Sequence, residues 1–359
     1  MKKTTRKSKR TQNESVSPRP PVQAPRLEVA SRTTARPTQS WGWIVGLLVL
    51  IIAVVGLVYA LRNRTIADSP AAVATASAPT PPPAPAFAVG PADACRRHPR
   101  FAPSLGFSIN AGLSTSSPDL KGMVLIEPAT VTQTARFYQH PTWTMAGYLG
   151  HMVFDPAGNV YTFPAPRVSL IDNPPEQQNK IYHVNTDSGV MTTFITLTAA
   201  APPSPENPFG VLGLAYDCDT TSLYATSVAG STRAAETGKL ARIDLSSARV
   251  ITEATGIDAI GVTVYNTPTG KRLYFGRARS ADVDSIALDG EGNFVGEAQY
   301  ELSLPDPSYK AWRINFTPEG VMQIRGLQFD FNLIATGERD EVQYKFGLDA
   351  ATGGWQLIE

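Results

Sequence analysis

Cysteine and histidine are scarce in this sequence, with two and four respectively among 359 residues. His98, His140, His151 and His183 form no HxH or HExxH pair, and Cys95 and Cys218 are too far apart in sequence to make a CxxC motif. Zinc hydrolases and dithiol oxidoreductases of the usual signature are thereby excluded, and no metal ligand set and no cofactor is expected. No GxSxG elbow and no glycine-rich phosphate loop follows residue 95, which sets aside the corresponding hydrolase and nucleotide chemistries. Also missing beyond residue 95 is any stretch with a 3.6-residue apolar period, so helices are not expected there.

Charge is nearly balanced overall, at 32 Lys+Arg against 31 Asp+Glu, but the balance conceals a polarised chain. Residues 1–40 hold ten Lys+Arg against Glu14 and Glu28, or +8, and leave 22 Lys+Arg against 29 Asp+Glu, or −7, for the remainder. The tail has few apolar side chains and many Pro, Ser and Thr, a composition that cannot bury enough surface to offset chain entropy, so it is expected to be disordered. No aromatic residue interleaves its basic ones, so no nucleic-acid partner is expected.

Trp41 to Leu61 follows, 21 residues without a charge. At ~1.5 Å rise per residue a helix of that length reaches about 31 Å, the thickness of a bilayer core. Trp41, Trp43 and Tyr59 suit the interfacial aromatic belts. Ten cations before the span outweigh Arg62 and Arg64 after it, which predicts a cytoplasmic N-terminus and an extracytoplasmic C-terminal domain in the cell membrane, held to lipid by residues 41–61. A cleavable signal peptide is the alternative, with Ala72-Val73-Ala74 or Ala76-Ser77-Ala78 as the cleavage site, but an h-region is only about 7–15 residues long. Residues 62–97 read as a Pro/Ala-rich linker, whose stretch from 65 to 94 would span about 90 Å at ~3.1 Å per residue if fully extended.

From 98 to 359 short apolar runs alternate with Gly, Pro, Asp and Asn, which predicts an all-β domain. Four segments repeat a pattern of apolar strand, turn and apolar strand: Gly150–Tyr161, Gly213–Tyr224, Gly261–Tyr274 and Trp312–Ile324. Each is followed by a second hairpin, at 180–189, 239–248, 284–292 and 343–353, with 123–127 as an earlier member. Asp or Asn followed shortly by Gly suits a tight turn, which is a sufficient structural reason for Asp155, Asp217, Asp244, Asp289 and Asp349. Two hairpins per period describe the four-stranded blades of a β-propeller, here five, or six if 104–115 belong to another blade. A two-sheet sandwich is the alternative.

The stretch FDPAGNVYTF at 154–163 resembles the inner hairpin of NHL-type and SMP-30-like propellers, and Pro208–Asp217 with Ser222–Thr226 looks like a looser copy. The resemblance implies the fold and not an activity. SMP-30-like lactonases hold a divalent cation at the propeller axis. Glu127, Asn207 and Asp258 fall near the starts of blades, but the residues around them do not reproduce that family's motifs.

Outside the membrane Cys95 and Cys218 are in a setting that permits a disulfide, which would fasten the start of the domain to the turn beside Asp217; two unpaired thiols are the alternative. His151 lies in a predicted innermost strand, where it either faces the channel or is hydrogen-bonded within the fold. Long loops at 164–179, 199–209, 227–238 and 329–340 should gather on one face, with Trp143, Phe209, Tyr309, Trp312 and Phe329 near it as candidate ligand contacts. The expectation is a membrane-anchored extracytoplasmic propeller that binds a protein, peptide or glycan outside the membrane, as an accessory to a larger complex, rather than an enzyme. The alternative is an extracytoplasmic metal-dependent lactonase or hydrolase. Carboxylates clustered at the axis would favour the enzyme, and an apolar or basic channel would favour the binder.

Overall fold

The computed structural model describes residues 87–115, 120–165, 171–202, 204, 206–331, 341–349 and 353–358. The expected tail, anchor and linker residues up to 86 lie outside these. Among the described residues no helix is long and apolar enough to cross a membrane.

After a two-residue strand β1 (Gly90–Pro91) and one turn of helix, α1 (Phe101–Ser104), the chain builds five sheets in sequence order. Blade 1 has three strands, β2 (Gly112–Ser114), β3 (Val124–Glu127) and β4 (Arg136–Tyr138). Blade 2 consists of β5 (Leu149–Phe154), β6 (Val160–Pro164), β7 (Lys180–Val184) and β8 (Met191–Thr196), and blade 3 of β9 (Val211–Asp217), β10 (Ser222–Ser227), β11 (Lys239–Asp244) and β12 (Arg249–Thr255). Blade 4 contains β13 (Ala259–Thr267), β14 (Gly270–Arg277), β15 (Asp282–Leu288) and β16 (Phe294–Ser303). Blade 5 contains β17 (Tyr309–Phe316), β18 (Met322–Gln328), β19 (Val342–Leu348) and β20 (Trp355–Leu357). All pairings within blades are antiparallel between chain neighbours.

The first strands of all five blades line one shared cavity, so the sheets stand radially about an axis and the arrangement is a five-bladed β-propeller, not a sandwich. Residues 104–115 supply β2 of blade 1 and not a sixth blade. Burial follows position. VLGLAYD of β9 is buried at every residue because neighbouring blades flank it on both sides, whereas RVITEAT of outer β12 alternates between exposed and half-buried.

A separate apolar cluster occupies each seam from blade 1 to blade 5. Trp143 and Met123 meet Leu149 and Val184; Phe163 and Ile181 meet Val211 and Leu223; Tyr224 and Leu240 meet Val262 and Phe275; Tyr274 and Val283 meet Ile314 and Met322.

Two of the inner and outer turns are built alike. Asp155 accepts from the backbone N–H and the side-chain amide of Asn159, both at 2.8 Å, and Asp289 accepts from the same two groups of Asn293 at 2.7 and 3.0 Å. The glycine before each Asn has a left-handed φ, +87° at Gly158 and +88° at Gly292. Asp217 does something else: buried, it accepts from Lys271 Nζ at 2.6 and 2.7 Å, while Asp219 accepts from the same ammonium at 2.8 Å.

Residues 87–97, which the sequence groups with the linker, are packed on the propeller as a strap across the ends that carry these turns. Phe87 covers Lys271 Nζ with its ring centroid 4.1 Å away. β1 pairs with β13 of blade 4, through Gly90 with Asn266 and Pro91 with Tyr265. The Ala92 carbonyl then accepts from Cys218 N–H of blade 3 at 2.8 Å, and Cys95 is disulfide-bonded to Cys218. Arg97 N–H reaches the Asp155 carbonyl of blade 2 at 3.3 Å. Next to it a Cβ on Gly158 would lie 2.7 Å from the His98 carbonyl oxygen, so only glycine lets the strap settle there. Arg100 ends the run with a two-pronged ion pair to Asp187 at 2.7 and 2.8 Å, after which α1 leads into blade 1.

The strap therefore ties blade 4 to blade 3 to blade 2 before the first blade is made. The double variant Cys95→Ser, Cys218→Ser should lose about 2–4 kcal/mol, as for removal of a native bridge over a long loop. It should also become cleavable by protease within 87–100 before the domain unfolds. Urea denaturation with and without a protease pulse checks this; unchanged stability and protection would mean that the strap docks without the bond.

Candidate functional site

The strands leave each blade with one end formed by short turns and the other by long connections, and the shared cavity lies between them. Its volume is about 290 Å³, and it is lined by Leu113 to Thr115 of blade 1, His151 to Phe154, Leu214 to Tyr216, Val262 with Thr263, and Trp312 to Asn315. Asp93 and Arg96 of the strap complete the lining at the turn end. That end is flanked by exposed Asn315.

At the loop end blades 3, 4 and 5 share an apolar cluster. Phe209, Leu212, Val228, Ile260, Ala278 and Phe331 are buried together, with Trp312 and Phe329 packed against them. Phe209 and Phe329 have ring centroids 5.1 Å apart, as do Phe329 and Phe331. Three of the aromatic residues singled out by sequence, Phe209, Trp312 and Phe329, are thus brought together in one cluster, which also contributes Trp312 to the cavity wall. The other two lie elsewhere. Trp143 is fully buried between blades 1 and 2, its Nε1–H donating to the Gly189 carbonyl at 2.7 Å, and Tyr309 packs against the core between blades 4 and 5.

His151 both lines the cavity and is hydrogen-bonded within the fold. Its Nε2 is 2.8 Å from the Leu214 carbonyl and 3.4 Å from Leu214 N–H, donating to the first or accepting from the second according to the tautomer, and its ring stands edge-on to Phe163 at 5.4 Å. Burial, reinforced by the nearby Arg313 charge, pulls its pKa down to about 4, so the imidazole is neutral at physiological pH.

Arg313 is the residue that sequence reasoning missed. A bulge between Ala311 and Arg313 shifts the register of β17 where this residue meets the cavity. A lone cation inside the apolar run Ala311–Phe316 was the available signal. The one carboxylate among the described lining residues, Asp93, is paired with Arg96 at 3.2 Å.

Asn207 and Asp258 precede the first strands of blades 3 and 4, whereas Glu127 ends β3 within blade 1, and all three serve as structural clasps. Asp258 accepts from Gly238 N–H and Arg279 Nε, each at 2.8 Å, and from Ser231, and so pins the connection 228–238. Asn207 donates to the carbonyls of Val228 and Ser231 at 2.7 and 2.9 Å. Glu127 accepts from Ser108 N–H at 2.9 Å and pairs with Arg136 at 3.1 Å; the Ser108 hydrogen bonds hold its carboxyl below the usual range. None of the three lines the cavity. Among the described residues no group of three or more His, Cys, Asp or Glu is placed to hold a metal ion.

His151 makes stability pH-dependent. The unfolded chain takes up this proton near pH 6.5 and the folded chain only near 4, so the contribution is complete above pH 6.5 and is lost as the pH falls towards 4. His151→Gln should flatten this dependence by up to about 3 kcal/mol between about pH 7 and pH 4. Urea denaturation at both pH values tests it, and equal slopes in the two proteins would refute it.

No family model matches the chain, and no curated protein matches it. Solved structures do match, as similar folds at low identity. A candidate 6-phosphogluconolactonase from Bacteroides fragilis is 12% identical over 66% of this chain and 76% of its own, with a TM-score of 0.36. Regucalcin from Agrobacterium tumefaciens, a calcium-binding protein, is 12% identical over 53% of this chain and 72% of its own, at a TM-score of 0.30. The xyloglucan-locus protein GH43B from Bacteroides ovatus is 12% identical over 56% of this chain but only 38% of its own, at 0.32. The fold expected from the SMP-30-like resemblance is the one that the five radial sheets of this chain form.

Proposed function

We propose that this chain is a binding module, a propeller anchored in the cell membrane by residues 41–61 and presented outside it to a protein, peptide or glycan partner. The supporting observation is the sign of charge at the axis. A metal-dependent lactonase needs carboxylates converging there, whereas the described lining of this cavity carries Arg313 beside a neutral His151, and its one described carboxylate, Asp93, is paired with Arg96. An arginine in the lining is a poor neighbour for a divalent metal. The rigid scaffold with its long connections gathered at one end is the usual platform for recognition loops.

Affinity capture of the full-length protein from its native membrane should bring down a partner in stoichiometric amount. Protease added to sealed, right-side-out cells should remove the propeller and spare residues 1–40. A protein recovered alone, with the propeller protected and the leading residues clipped, would overturn both halves of the reading.

A further inference from the structure

The turn after β9 departs from the Asp–Asn construction of the turns at 155–159 and 289–293. In place of an asparagine amide, Asp217 receives a lysine from the next blade. Lys271 reaches across from β14, and its Nζ lies 2.6 and 2.7 Å from the two Asp217 oxygens and 2.8 Å from Asp219 Oδ2. The Lys271 and Asp217 side chains are 1% and 0% exposed, that of Asp219 30%. Phe87 of the strap lays its ring over the ammonium. Ions buried this deeply have given up their hydration, and uncharged groups of similar volume in their place are often as stable or more so.

An amine, a carboxyl group and a second carboxylate in contact are the parts that condensation to an amide needs. A lysine amine is a competent nucleophile once it sheds its proton in an apolar site. Asp219 touches the nitrogen, and Asn266 Nδ2 holds it there, donating to Oδ2 at 2.8 Å. The Asp217 carboxyl is gripped at both oxygens, by Asp219 N–H at 3.0 Å on Oδ1 and by the Thr220 hydroxyl at 2.7 Å on Oδ2. Donors in those places stabilise the charge that gathers on oxygen when the carbon becomes tetrahedral. Contact between the two groups removes the entropy of bringing them together, and exclusion of water guards the product from hydrolysis.

We propose that Lys271 and Asp217 condense autocatalytically in the folded chain to an isopeptide bond between blades 4 and 3, with Asp219 carrying the proton. The ion pair first passes one proton from Nζ to an Asp217 oxygen, giving an amine and a carboxylic acid. The Nζ lone pair attacks Cγ, the C–N bond forms, and Asp219 takes a proton from the nitrogen. It hands that proton to the hydroxyl on the tetrahedral carbon as the C–O bond breaks, and one water leaves. Asp219 ends ionised, as it began, and nothing is oxidised or reduced. The amide joins positions 54 residues apart next to Cys218, so this turn carries a second covalent fastener, one that a thiol does not open.

The full-length chain, purified, reduced, alkylated and digested, tests this by mass spectrometry. It should yield one branched peptide that contains both Asp217 and Lys271 and weighs one water less than its two arms. Lys271→Arg keeps a cation that cannot condense and should give separate arms. Asp219→Asn should form the branched peptide at least about a hundredfold more slowly after synthesis, the usual effect of losing a proton carrier. Near-UV circular dichroism shows which variants fold, and the wild-type digest carries the test if neither does. Separate arms from the folded wild-type chain, meaning an ion pair only, overturn the proposal. So does a link that fragmentation places on another pair of residues, or a folded Asp219→Asn chain that condenses at the wild-type rate.

Discussion

A four-stranded sheet has two faces, and those of a propeller blade are both apolar, so a blade can bury them only against two other blades. The seams met by Trp143, Phe163, Tyr224 and Tyr274 are where this requirement is satisfied. Burial of one large side chain in such a seam is worth about 1.5–3 kcal/mol, and each seam holds several. The geometry of the axis follows from it. Sheets stacked face to face around a circle leave their first strands pointing inward, and five of them leave a hole too small for a large ligand and too large to close on itself.

The two ends of that hole are built differently. At the loop end, apolar side chains from blades 3, 4 and 5 pack together. At the turn end a separate segment of backbone crosses the opening, bonded to three blades in succession. The polar groups are placed accordingly, with Asp93, Arg96 and Asn315 on the strapped side and the aromatic rings of Phe209, Phe329 and Phe331 on the opposite side.

The repeats were legible because their causes are local. An Asp that accepts from an Asn four residues on, with glycine between them, writes its own turn at 155–159 and again at 289–293, and the apolar runs on either side can pair only with each other. The uninterrupted burial of β9 and the alternation in β12 are likewise visible as patterns of residue type. The strap was not legible, because Gly90, Pro91 and Ala92 resemble linker and their partners lie more than a hundred residues away in the chain. Lys271 reads as a surface lysine until Asp217, Asp219 and Phe87 are brought around it. Arg313 was hidden in the same way, since a strand sequence does not say which side chain a bulge will turn towards the axis. Of the aromatic set chosen from loop positions, Phe209, Trp312 and Phe329 share a place, but that place is a packed cluster whose rings are mostly covered.

The route by which the chain enters the propeller also determines how it would answer a pull from its N-terminal side. Tension arriving at Phe87 shears β1 along β13 and then meets the Cys95–Cys218 bond, which spans 123 residues of sequence. The polypeptide between those two cysteines, blades 1 and 2 with β9 of blade 3, lies outside the path of the force. A load that would otherwise unravel the sheets one hairpin at a time is delivered at Cys218 to blade 3, in the middle of the ring, so the covalent bond serves as a mechanical bypass as well as a fastening.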